Sequence, residues 1–135
     1  MNLVMSGMTR KKFIDLHFAL SLIPESIDYE KTVVIDGLTV HVGFDNHITF
    51  KSKGLSCVGC GTTATHVAIE KRPTNTKPYC NWHLNFYHIE EEVETLFTKD
   101  HIYARSAGGP DALENYQTMF CGVTTASKRN LCRCF

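Results

Sequence analysis

The segment Thr98-Lys99-Asp100-His101-Ile102 runs on, after a short gap, into Gly108-Gly109 and then Leu113-Glu114-Asn115-Tyr116-Gln117-Thr118-Met119. An Asp-His pair by itself is weak evidence of anything. Followed in this order by paired glycines and an Asn-Tyr-Gln-Thr-Met run, it is specific. His83 to Ile89 and Val93 to Thr98 read as two strands leading into it, separated by a turn rich in glutamate (Glu90, Glu91, Glu92 and Glu94). Beyond it, Asp111 to Thr118 and Thr124 to Asn130 carry weak helical or irregular patterns.

Working back towards the N-terminus, Lys71 to Lys77 reads as a loop and His66 to Ile69 as a strand. Before them stands Cys57-Val58-Gly59-Cys60-Gly61, just after a change of composition at Lys53-Gly54. Cysteines two residues apart and flanked by glycines form half of a structural Zn²⁺ site, because the backbone can fold until both thiolates face one ion. Further back, Thr9 is placed to cap a helix from about Arg10 to Leu22, with Phe13, Leu16, Leu20 and Ile23 as its apolar stripe and Pro24 as its limit. Lys31 to Ile35 and Leu38 to Val42 alternate around Asp36-Gly37, a hairpin signal, since Asp-Gly accepts the positive φ values of a type I′ turn. His47 to Lys51 reads as a third short strand. Residues 1–53 therefore read as a helix-plus-hairpin module and 54–135 as a second domain.

Composition narrows the function classes. The 135 residues are 43% hydrophobic, which suits an ordinary folded domain. No stretch reaches the roughly 18 to 20 apolar residues that span a bilayer. The N-terminus lacks an apolar core ending in a small-residue cleavage site, so the expected location is the cytoplasm. In that compartment the 6 cysteines point to metal binding or thiols before disulfides. The 14 basic and 14 acidic residues cancel, so there is none of the basic excess usual in a nucleic-acid binder. The basic residues cluster instead at Arg10-Lys11-Lys12 and at Lys128, Arg129 and Arg133.

Residues 57 to 130 resemble the HNH endonucleases common in tailed bacteriophages. The likeness rests on Cys57 and Cys60, Trp82-His83-Leu84-Asn85-Phe86-Tyr87, Thr98-Lys99-Asp100-His101-Ile102, Gly108-Gly109, Asp111, the Leu113 to Met119 run and Lys128. It implies an α+β fold, a ββα-metal (HNH, or His-Me finger) core with a structural zinc site. Asp100 would bind a divalent ion, Mg²⁺ or Mn²⁺, and His101 would be the general base that activates water against a phosphodiester. Asn115 would bridge the loop and orient the histidine backbone. Gly108-Gly109 would let the loop turn where a side chain would clash. Arg105, Lys128, Arg129 and Arg133 would contact phosphates.

The chain departs from the family where the final helix should begin. The family pattern Cys-x-x-Cys-Asn-x-x-Lys is replaced by Cys121-Gly122-Val123-Thr124-Thr125-Ala126-Ser127-Lys128. Alignment on Lys128 puts Thr125 at the second metal-ligand position, and a one-residue shift puts Thr124 there. A threonine hydroxyl is a poorer Mg²⁺ ligand than an amide carbonyl or an imidazole. Only Cys121 remains of the second cysteine pair, so the expected zinc set is Cys57, Cys60, Cys121 and either Cys132 or Cys134, with Cys80 and His83 as further candidates. Two functions follow. One is a DNA endonuclease working in the cytoplasm of an infected bacterial cell. The other is an HNH-fold protein that does not cut and acts by binding nucleic acid or a host protein, as a phage regulator or counter-defence factor.

Overall fold

In the computed structural model the chain is α+β, with a core made mostly of sheet and, among the described residues, two α-helices. The structure describes residues 7–120 (the last by backbone alone) and the backbone of three short strands outside that range. The elements run β1 (Asn2–Leu3), β2 (Thr9–Ile14), α1 (Leu16–Leu22), β3 (Thr32–Ile35), β4 (Leu38–His41), α2 (Asp45–Lys53), β5 (His66–Lys71), β6 (His83–Glu90), β7 (Val93–His101), β8 (Tyr116–Phe120), β9 (Val123–Thr124) and β10 (Arg129–Asn130). None of the described helices is long and apolar enough to cross a membrane.

The main sheet follows the order β1-β2-β5-β6-β4-β3, and β7 pairs with both β6 and β8. Val67 opposes Phe86 and Ile69 opposes Leu84 across β5 and β6. Those four side chains face a cluster that includes Ala19 and Ile23 of the α1 region, Val40 of β4, Ile48 and Phe50 of α2, and Phe97 of β7. Residues on both sides of position 53 thus share one sheet and one apolar cluster.

In the N-terminal half two elements differ from their sequence expectation. The segment expected as a helix from Arg10 to Leu22 is a strand up to Ile14 and a helix only from Leu16. Arg10 lies opposite Glu70 on β5, and the sheet claims that half of the segment. Asp15, not Thr9, caps the helix, accepting a 2.9 Å bond from the Phe18 amide. The expected strand at His47 to Lys51 is the middle of α2. Phe44, His47, Ile48 and Phe50 stand at helical spacing and are all buried. The Asp36-Gly37 hairpin forms as read, with φ values of 49° and 81° at its turn.

His47 fixes α2 to the sheet. Its Nδ1 accepts from the Phe44 amide at 3.1 Å, and its Nε2 donates to the Leu84 carbonyl of β6 at 2.8 Å. The ring stacks on Phe44 with centroids 5.1 Å apart. Burial pushes its pKa down to about 4, and burial does the same to His83 of β6. For a base whose pKa falls on folding, the unfolded chain takes up the proton first. The stability that depends on these neutral rings is therefore whole above pH 6.5 and is lost as pH falls from 6.5 towards 4. Melting temperatures taken from pH 7.5 down to 4.5 should fall, with a cost approaching on the order of 3 kcal/mol per histidine at the acid end. His47→Gln cannot take up the proton and should flatten this dependence; an unchanged slope would contradict the assignment.

Candidate active site

β7 and β8 form an antiparallel pair in which Asp100 opposes Gln117 and His101 opposes Tyr116. The loop between them is closed by Asn115. Its Oδ1 accepts from the Tyr103 amide at 2.8 Å, and its Nδ2 donates to the carbonyls of Tyr103 at 3.0 Å and Pro110 at 2.9 Å. Its own carbonyl accepts from the Ile102 amide. One buried side chain thus uses its acceptor and both donor hydrogens to hold the loop that follows His101.

The paired glycines have different reasons to be there. Gly108 ends a 3₁₀ turn at Arg105–Ala107 with φ of 94°, a left-handed conformation that suits glycine. Gly109 is demanded by space, since a Cβ there would lie 1.9 Å from the Tyr103 carbonyl oxygen.

His101 is half-buried, edge-on to the Tyr116 ring at 5.2 Å. Its Nε2 lies 2.8 Å from Oδ1 of Asp111. A carboxylate can only accept, so Nε2 carries the hydrogen and Nδ1 keeps the lone pair. The bond from His101 is the main reason the Asp111 pKa lies below the ordinary aspartate value, and Arg105 adds to it from 3.5 Å. Lys99, on the same face of β7 as His101, sits over the Tyr116 ring and 3.3 Å from Asp45 at the start of α2. Asp111 was visible in the sequence only as part of a string. Its signal was an acid ten residues after a histidine in the same hairpin loop.

Asp100 is half-buried, and strand alternation turns it to the face opposite His101. Among the described residues no three His, Cys, Asp or Glu side chains stand close enough to hold a metal ion. Arg105 is exposed beside Asp111. Thr125, Lys128 and Arg133 lie outside the described residues, and Thr124 and Arg129 are described by backbone only. That backbone pairs Val123–Thr124 with Arg129–Asn130 as two short strands, in the region where the resemblance implies a helix.

The cysteine turn is well ordered by its own hydrogen bonds. The Gly61 amide donates to the Cys57 carbonyl at 2.8 Å, the Cys57 amide donates to the Thr62 carbonyl at 2.9 Å, and the Gly59 amide lies 3.3 Å from Cys57 Sγ. The Val58 amide donates to the Thr118 carbonyl of β8, and the Thr118 hydroxyl donates to the Gly54 carbonyl. The turn is therefore docked three residues before Cys121. Cys60 is disulfide-bonded. Cys121, Cys132 and Cys134 lie outside the described residues. Cys80 and His83 line different cavities.

No family model, curated protein or solved structure matches the chain.

The two glycines can be separated by experiment. Gly109→Ala must displace the Tyr103 backbone and should cost about 2 kcal/mol or more in urea unfolding. Gly108→Ala meets open space and carries only the left-handed strain, about 1 to 2 kcal/mol. Equal costs would show that close approach is not what selects Gly109.

Proposed function

We propose that the chain is a metal-dependent DNA endonuclease of the HNH type, with His101 as general base. The observation that carries this reading is the Asp111–His101 pair at the end of β7, beside a loop latched by Asn115. Asp111 fixes the tautomer and stabilises the imidazolium that forms when Nδ1 takes a proton from water. The oxygen of that water then forms a bond to phosphorus, and the bond to the leaving oxygen breaks. Arg105, exposed at the loop beside Asp111, would contact phosphate. The resemblance gives the divalent ion to Asp100, where it would supply charge stabilisation at the phosphate, but β7 turns Asp100 to the face opposite His101 and the described residues add no further ligands. The second ligand position falls outside the described residues, at Thr125 or Thr124.

The ββα-metal assignment and the zinc site belong to the same proposal. The zinc reading is supported by the Cys57–Cys60 spacing and by the Gly59 amide 3.3 Å from Cys57 Sγ. A sulfur in a disulfide cannot ligate zinc, so the zinc form is that of the reduced chain. A second reading, binding to nucleic acid or a host protein without cutting, is favoured by the threonine at the ligand position and the zero net charge.

Plasmid cleavage with Mg²⁺ or Mn²⁺ tests the first reading. The native protein should cut, His101→Ala should lose about 10²-fold or more, and Asp111→Asn about 10- to 100-fold. A silent native protein, or equal cutting by His101→Ala, would transfer support to the binding reading. Metal analysis of protein purified under reducing conditions should find about one zinc per chain, lost in Cys57→Ser. A zinc-free native protein would end the knuckle assignment.

A further inference from the structure

Charge is not spread evenly over this neutral chain. Between residues 71 and 89 there is no Asp or Glu, and the end of β5 with the loop after it carries Lys71, Arg72 and Lys77. Glu90, Glu91, Glu92 and Glu94 gather at the far end of β6. At roughly 3.3 Å per residue β6 holds the two poles about 23 Å apart, nearly three Debye lengths at physiological salt. The acidic turn therefore does not neutralise the basic end, and a net charge of zero does not count against an anion there.

The three cations have no acid of their own. Lys12, Lys51, Lys99 and Arg105 each face a carboxylate. Lys71, Arg72 and Lys77 face none among the described residues. The acids that border this end are already taken, Glu70 by Arg10, Asp36 by Lys12 and Asp45 by Lys99. Arg72 and Lys77 are exposed and Lys71 is half-buried. Lys71 lies over the Trp82 ring at 4.7 Å and Arg72 over the Tyr79 ring at 4.5 Å, so each of these charges is held in place by an aromatic neighbour.

The loop is ordered by its own backbone. The Arg72 amide donates to the Tyr79 carbonyl at 3.0 Å, the Cys80 amide to the Thr76 carbonyl at 3.1 Å and the Asn81 amide to the Pro78 carbonyl at 2.9 Å. Thr74, Asn75 and Thr76 at the tip are exposed and add hydroxyl and amide donors beside the cations. Donors and positive charge without a carboxylate suit phosphodiester oxygens, which can only accept. The position suits them as well. β7 pairs with β6 no further than Tyr87–Leu96 before it leaves for β8, and the wedge between them is a cavity of about 250 Å³ lined by both Arg72 and Lys99. Lys99 is on β7 with His101, so the loop borders the strand that carries the candidate base.

We propose that loop 71–82 binds the phosphate backbone of a nucleic acid, with Lys71, Arg72 and Lys77 as its contacts. The choice of nucleic acid over another polyanion rests on the readings given under the proposed function. The surface serves cutting or binding alike, because it includes none of Asp100, His101 and Asp111.

The test is fluorescence anisotropy in EDTA with a labelled duplex of about 20 base pairs and a single strand of the same sequence, at salt from about 50 to 200 mM. Replacing Lys71, Arg72 and Lys77 together by Gln should weaken binding about tenfold or more and lower the slope of log affinity against log salt by about 2 to 3. The probe that binds more tightly identifies the form of nucleic acid. Lys77→Glu, at an exposed position, should weaken binding and leave the melting temperature unchanged. Lys11→Gln, Lys31→Gln and Lys53→Gln together make the same change in net charge at other exposed positions and should keep the native slope. The proposal falls if neither probe binds, if this control weakens binding as much as the loop variant, or if a glutamate-rich peptide of equal charge competes as well as the duplex. Adding Mg²⁺ separates it from the cleavage reading. Binding through the loop without cutting ends that reading and leaves this one, and cutting that the loop variant retains in full does the reverse.

Discussion

A fully buried carboxylate, Glu70 in the centre of the sheet, constrains the positions of four strands. Its Oε1 accepts from Asn85 Nδ2 at 2.8 Å and from the Tyr87 hydroxyl, and its Oε2 accepts from Arg10 Nε at 2.7 Å. Arg10 in turn grips both oxygens of Glu94 on β7, at 2.7 and 2.9 Å. Burial works against the guanidinium charge, but the bonds to Glu94 and Glu70 outweigh it and raise the Arg10 pKa. An unpaired charge at this depth would cost several kcal/mol, so β2, β5, β6 and β7 must keep the register that satisfies all of its partners. This is also why the N-terminal segment is a strand where its apolar spacing reads as a helix. The helix would leave Glu70 without its cation.

The same network places the candidate active site. Glu94 is tied to Arg10, so β7 begins against β6, yet Phe97 packs into the core beside Phe50 of α2 and draws the strand away. From Phe97 onward β7 belongs to β8. One strand therefore changes partner halfway along. The change opens the wedge lined by His83 and Thr98, and it carries Asp100-His101 to the far end, where Asn115 closes the loop. The cavity and the candidate active site are both products of a single divergence between two strands.

The sequence disclosed these features unevenly, for physical reasons. Strands β5, β6 and β7 were legible because their ends are marked by turn-forming or charged residues. The Asp36-Gly37 hairpin was legible because its turn chemistry is local. The α2 helix was not, because five residues such as His47 to Lys51 fit either period and tertiary burial decides between them. At the site, Asn115 and the glycines stood out as a string, and the geometry supplies their reasons: three hydrogen bonds in one case and a 1.9 Å approach in the other. Asp111 and the wedge could not be read, since each depends on which strands are neighbours. The zinc and catalytic-metal expectations rest on residues of which most lie beyond position 120.

The cysteine turn joins this scheme through β8. Val58 and Gly54 both bond to Thr118, and Thr118 stands two residues after Tyr116, whose ring receives His101 edge-on and Lys99 from above. A clamp at the Cys57–Cys60 turn would therefore act on the strand that supports the histidine. Such a clamp would do more than add stability. It would hold β8 against β7, so that the Asp111–His101 pair and the Asn115 latch keep a common frame. Without that restraint the hairpin would rest on α2 and on the short ladder between β6 and β7. The Cys57–Cys60 turn thus docks on the strand next to the one that carries His101, and not on the histidine itself.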